Sequence, residues 1–167
     1  CSLHALDAET GEEVFGYVPG LVYDHIKDYA NPDYAHLFYV DQTPYVAEGV
    51  DISGDEKTML LGGLGKGGKG YYALDITGIS GAQSFVGKTE SDLADRVLWE
   101  YPNADTPAGE IADMGYSFSR AYVDGSNDTN YPWIVVFGNG YNSENSSAVL
   151  FIVDPETGDL IHRIDTG

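Results

Sequence analysis

The sequence predicts an all-β fold, a partial β-propeller of about two and a half four-stranded blades with a short helical insertion. Three observations predict it. One hairpin pattern occurs three times, each copy turns on an Asp followed by a Gly, and two further strand-like segments precede each of the last two copies. The copies are Leu3–Gly11 continuing to Tyr17, Tyr71–Gly78 with Arg96–Tyr101 after an insertion, and Leu150–Gly158 continuing to Ile164. In each, an apolar strand runs into Asp7, Asp75 or Asp154. The aspartate carboxylate can accept from backbone N–H groups two residues on and close an Asx turn. A glycine follows where positive φ costs little, and a second strand returns.

In chain order, residues 1–19 are expected to be the last two strands of an opening blade. Residues 20–39 are an insertion, with Leu21, Val22, Ile26 and Tyr29 on one helical face. Residues 40–102 form a second blade, with Pro44–Ala47 and Thr58–Gly62 as its first strands and Ser80–Asp95 as a polar surface loop. Residues 103–167 form a third, led by Ser117–Val123 and Trp133–Gly138. Asp7 to Asp75 spans 68 residues and Asp75 to Asp154 spans 79. Blade repeats typically run about 40–50 residues, so each unit carries extra loop. Propellers close with about 4–8 blades, so the count predicts that the remainder of a larger propeller packs against this segment. Trp99, in Val97-Leu98-Trp99, is expected in the core of its blade.

Composition narrows the function. The chain has 167 residues, 43% of them apolar, and a formal net charge of −19. Such a charge repels phosphate backbones and anionic headgroups, so neither nucleic acid nor an acidic membrane surface is an expected partner. No apolar run reaches the roughly 18 residues of a membrane span, so no membrane insertion is expected. Cys1 is the one cysteine, so no internal disulfide forms.

Each motif that resembles a chemical site lacks a part. Gly63-x-Gly65-x-x-Gly68 matches a dinucleotide fingerprint by letter, yet that motif needs a helix after it, and Tyr71–Asp75 reads as strand. Gly70 stands where a phosphate loop needs Ser or Thr. The glycines Gly62–Gly70 are therefore expected to form a turn between strands. Asp124, Ser126 and Asp128 are the candidate metal ligands, with oxygens at alternate positions as in a calcium loop. Thr129 and Val135 replace the glycine and glutamate that such a loop requires, so a polar hairpin is the expectation. His4, His25, His36 and His162 have no metal-ligand spacing, and His4 and His162 fall in strand patterns as wall residues. No catalytic constellation, and no cofactor held by this segment, is expected.

The Leu-His-Ala-Leu-Asp-Ala-Glu-Thr-Gly run at residues 3–11 resembles the repeat of quinoprotein-like propellers. More specifically, the chain resembles the C-terminal propeller of the PilC/PilY proteins of type IV pili. Four stretches carry the likeness: Leu3–Pro19, the tyrosine-rich Tyr34–Pro44, Gly62–Thr77, and Met114–Arg120 with Phe137–Ser143. Gln42 stands where that family usually has Gly, and Ala121 where it usually has Pro. The resemblance implies a non-catalytic module at the pilus tip or cell surface, exported through the periplasm. It implies support of pilus assembly and of adhesion to host or abiotic surfaces, with pilins or tip components as partners. It also implies Ca²⁺ in the parent protein, on an aspartate loop outside these residues. The alternatives from the same fold are a fragment of a quinoprotein dehydrogenase, an enzyme, and a periplasmic assembly scaffold.

Overall fold

The three repeated turns close in the same way. In the computed structural model, which describes residues 2–167, Asp7 Oδ1 accepts from the N–H groups of Glu9 and Thr10 at 2.9 and 2.8 Å. Asp154 Oδ1 accepts from Glu156 and Thr157 at 2.8 and 3.2 Å, and Asp75 Oδ1 accepts from Thr77 at 2.8 Å. Gly11, Gly78 and Gly158 then adopt φ of 73°, 70° and 75°, a region that glycine enters without penalty. An aspartate that satisfies turn N–H groups is stabilised as the anion, and the Asp7 carboxyl is accordingly held below its ordinary value.

The strands form three antiparallel sheets. β1 (Leu3–Leu6) pairs with β2 (Glu13–Tyr17). β3 (Tyr45–Ile52), β4 (Asp55–Gly63), β5 (Tyr71–Asp75) and β6 (Val97–Tyr101) make a four-stranded meander in sequence order. β7 (Tyr122–Gly125), β8 (Trp133–Gly138), β9 (Val149–Val153) and β10 (Leu160–Asp165) make another. This is the predicted partial propeller, with one hairpin and two complete four-stranded sheets.

Period-2 alternation distributes β4 and β5 between two neighbours. Leu60, Tyr72 and Leu74 pack with Leu3, Phe15 and Tyr17 of the first hairpin. Met59, Leu61, Tyr71 and Ala73 face the other way, into the core shared with Val123, Val135, Phe137 and Phe151 of the third sheet. Successive side chains of a strand point to opposite faces, so a sheet sandwiched on both sides reads as the near-continuous apolar run seen at Met59–Leu61 and Tyr71–Leu74. Phe137 joins Tyr71 and Phe151, with ring centroids 4.2 and 5.6 Å away.

Three expectations are corrected. The first strand of the third sheet begins at Tyr122, not Ser117. The backbone groups of residues 117–119 turn to the second sheet instead of to β8: the Ser117 N–H donates to the Gly68 carbonyl at 3.2 Å, and the Ser119 carbonyl accepts from Tyr71 Oη at 2.7 Å. The insertion is helical, with 3₁₀ turns at Gly20–Val22 and Lys27–Ala30 around α1 (Tyr23–Ile26). Its buried side is short, however: Val22 is buried, whereas Ile26 and Tyr29 are 38% and 61% exposed. The segment read as a polar loop at 80–95 carries a 3₁₀ turn (Ala82–Phe85) and α2 (Glu90–Ala94). Thr89 and Asp92 close a capping box on α2, which satisfies two N-terminal donors reciprocally. A further short helix, α3 (Ala108–Asp113), leads into the third sheet. Among the described residues no helix is long and apolar enough to cross a membrane.

Candidate functional site

The glycine loop is a seat for neighbouring chain. After β4 it makes one 3₁₀ turn at Gly65–Gly67 and runs directly into β5, so no helix follows the glycines. A Cβ on Gly67 would stand 1.9 Å from the Tyr39 carbonyl oxygen, and one on Gly63 would overlap the Gln42 side-chain amide at 2.7–2.8 Å. The glycines are required because residues 39–42 lie against their backbone, with the Asp41 N–H donating to the Leu64 carbonyl at 3.1 Å. Gln42 then reaches across to the segment that leads into the third sheet. Its Nε2 donates to the Ser117 carbonyl and, at 2.8 Å, to the Ser119 carbonyl. Ala121, the other departure from the family pattern, is buried against the core.

The two four-stranded sheets are locked at both ends. At the end bearing the glycine loop, Tyr71 Oη donates to the carbonyls of Ser119 and Gly138 at 2.7 and 3.0 Å. Burial of this phenol pushes its pKa up, so it stays a donor. At the opposite end Trp99, 5% exposed, lays its indole on the third Asp-to-Gly turn. Its Nε1 donates to the Pro155 carbonyl at 3.0 Å, and a Cβ on Gly158 would stand 2.7 Å from the ring. The core position expected for Trp99 is thus occupied, and the repeated glycine also serves as a docking face. Sequence reasoning did not pair Trp99 with Gly158, because they are distant in the chain and only sheet packing joins them.

The metal candidates sit on the β7–β8 hairpin. Asp124 Oδ1 accepts from the Gly125 N–H at 2.7 Å, Ser126 Oγ from the Asp128 N–H at 2.9 Å, and Asp128 Oδ1 from the Asn130 N–H at 2.8 Å. Each therefore spends an oxygen on its own turn, and Asp124 and Asp128 are exposed. His4 and His162 are exposed as well, not walls of the core. His4 instead meets Glu13 at 2.9 Å across the first hairpin, and His162 lies on β10, the outer strand of its sheet.

One acidic side chain is deeply buried. Asp113, 3% exposed, accepts from Arg163 Nε at 2.5 Å and from Asn145 Nδ2 at 2.8 Å. The Arg163 hydrogen bond holds its carboxyl below the usual range. Asn139 Nδ2 donates to the Asp113 carbonyl oxygen at 2.7 Å, and Asn139 Oδ1 accepts from the Val149 N–H at 3.0 Å. The cluster ties α3, the β8–β9 loop and β10 together.

The sheet registers bring two loops and two strand-leading segments to one end. Tyr45 lies opposite Leu61 and Tyr122 opposite Val136, so the starts of β3 and β7 adjoin the ends of β4 and β8. Between them opens a groove of about 560 Å³ lined by His36, Phe38, Lys66, Tyr116, Phe118 and Tyr141 among others. A second hollow of about 390 Å³ lies beside the contact of the first hairpin with the second sheet, lined by Phe15, Tyr17, Leu74, Ile79 and Phe85 among others. Among the described residues no three His, Cys, Asp or Glu side chains converge as a metal site would require.

Comparison with known proteins agrees with this geometry. The sequence profile of the PilY1 beta-propeller domain matches residues 7–167. A type IV pilus biogenesis factor PilY1 homolog of Xylella fastidiosa is 40% identical over 163 residues, covering 98% of this chain and 10% of that protein. The type IV pilus biogenesis factor PilY1 of Pseudomonas aeruginosa is 36% identical over 167 residues, covering 98% of this chain and 12% of that protein. The crystal structure of the P. aeruginosa PilY1 C-terminal domain superimposes with a TM-score of 0.70 at 34% identity, covering 99% of this chain and 28% of that one. This chain therefore spans about a tenth of the curated relatives it matches and belongs to the PilY1 β-propeller family of type IV pilus biogenesis factors.

Proposed function

We propose that these residues are a non-catalytic propeller segment of a type IV pilus tip and biogenesis protein, supporting pilus assembly and surface adhesion. The observation that carries the reading is the family match over residues 7–167, with the sheet order to go with it. The interior supports it. Buried polar groups such as Asp113, Asn139 and Tyr71 spend their hydrogen bonds on holding sheets and loops together. A catalytic centre instead gathers titratable groups with perturbed pKa values around a reacting atom. The Asp124–Asn130 hairpin belongs in this reading as a structural turn, and Ca²⁺ is assigned to the parent protein outside this segment. The module works at the cell surface, with pilins or tip components and the contacted surface as its partners.

The test is genetic and enzymatic together. Deleting the parent gene should remove surface pili and surface attachment, and the intact gene should restore both. The purified parent, given pyrroloquinoline quinone and Ca²⁺, should reduce no dye with alcohols or sugars. Normal piliation in the deletion strain, or alcohol-dependent turnover, would overturn the proposal.

A further inference from the structure

The groove at the glycine-loop end differs in charge from the rest of the chain. Ten residues line it and none is acidic, although the chain carries 27 Asp and Glu against 8 Lys and Arg. Three of the lining residues are basic or titratable as bases: Lys66, His25 and His36. Among the described residues Lys66 forms no ion pair. Its ammonium instead lies 4.4 Å from the centre of the Phe38 ring, a cation–π contact that fixes the charge at one wall without neutralising it. Asp28 acts on Tyr39 from outside the lining.

The other wall is aromatic and open. Phe118 and Tyr141 are 55% and 72% exposed. The backbone beneath them is fixed, because the Tyr116 and Tyr141 N–H groups donate to each other's carbonyls at 2.7 and 3.3 Å. On the opposite side Gly67 is pressed against the Tyr39 carbonyl, so the chain that carries Lys66 is also held. Such a built wall lowers the ordering cost of binding. The volume of about 560 Å³ falls within the roughly 300–1,000 Å³ of small-ligand sites.

We propose that this groove binds an acidic saccharide, its ring face against Phe118 and Tyr141 and its carboxylate on Lys66. The electropositive C–H face of a sugar ring suits the negative face of an aromatic ring. An unpaired ammonium in an acid-free hollow selects a carboxylate as a charge-assisted acceptor. The site stands on the groove alone and is independent of the pilus role.

Titration calorimetry on the full parent protein tests it, with a galacturonate tetrasaccharide as probe and a neutral galactose tetrasaccharide as control. The uronate should bind saturably and about tenfold tighter than the control, a difference of about 1.4 kcal/mol. Lys66→Gln should abolish that preference. Phe118→Ala and Tyr141→Ala should each weaken binding of the uronate about three- to tenfold, with unchanged thermal midpoints because both side chains are exposed. No saturable uronate binding, equal affinity for the neutral sugar, or undiminished binding in both aromatic variants would overturn the proposal. So would stronger binding of a peptide ending in phenylalanine, which would make the groove a peptide carboxylate site.

Discussion

Replacing Trp99 by alanine removes the piece that seats the second sheet on the third. The indole is 5% exposed and donates to Pro155 at 3.0 Å. A side chain of that size takes roughly 150–250 Å² out of water, which at about 25 cal/mol per Å² amounts to about 4–6 kcal/mol. Partial collapse of the site brings the expected loss to about 3–5 kcal/mol. Gly158→Ala strikes the same joint from the other side. Its φ of +75° costs an alanine roughly 1–2 kcal/mol, and its Cβ would meet the indole at 2.7 Å. With Trp99→Ala already present the overlap with the indole ring disappears, and only the 2.9 Å approach to the Cβ at position 99 and the backbone strain remain. Denaturant unfolding of the parent's complete propeller, followed by far-UV circular dichroism in wild type, both single variants and the double, reads the coupling. The double variant should lose less than the sum of the singles by about 1 kcal/mol or more. Additivity within about 0.5 kcal/mol would refute the claim that these residues meet.

The adjacent tyrosines should respond in opposite ways. Tyr71→Phe removes a phenol that donates to the Ser119 and Gly138 carbonyls and should cost about 1–2 kcal/mol. Tyr72→Phe removes a buried hydroxyl with no partner and should be neutral or stabilising by about 1 kcal/mol; a lower midpoint for Tyr72→Phe in the same unfolding assay would contradict this. Glu100→Ala should leave the Gly20 and Leu21 N–H groups, now bonded at 2.7 and 3.2 Å, and the Tyr17 hydroxyl without their shared acceptor. Amide exchange at residues 20–22 should then accelerate, and unchanged exchange would show that the carboxylate does not anchor the insertion. Because Arg163 lowers the Asp113 pKa in the folded state, the stability from this pair is complete above the unfolded aspartate value and is lost as pH falls through the lowered folded value. Thermal midpoints measured from neutral to acid pH should therefore fall less steeply in Arg163→Ala than in wild type, and parallel curves would contradict the pairing.

What the sequence made legible was local. Asp7, Asp75 and Asp154 each close a turn with amides two or three residues away, so the repeat and its hairpins could be read from spacing alone. The doubly buried runs at Met59–Leu61 and Tyr71–Leu74 likewise carried their own signal. Helix α2 had a readable start in Thr89 and Asp92, but the polar character of residues 80–95 masked it. Ser117–Val123 misled because its strand-like sequence says nothing about where the carbonyls of Ser117 and Ser119 find donors. Those donors, Gln42 and Tyr71, lie far away in the chain. The groove was illegible for the same reason. Phe38, Lys66, Phe118 and Tyr141 come from four separate loops, and only the sheet registers bring them to one end.

The most direct test of the account is a chimera. The stretch of P. aeruginosa PilY1 that aligns with this chain at 36% identity over 167 residues is exchanged for it in a strain lacking its own gene. Surface pili are then sheared and quantified, with the chimera's abundance measured in parallel. If this chain is an interchangeable structural segment of a pilus-biogenesis propeller, pilus yield should return to near the level given by native PilY1. A chimera that accumulates to the native level yet restores no surface pili would contradict the account.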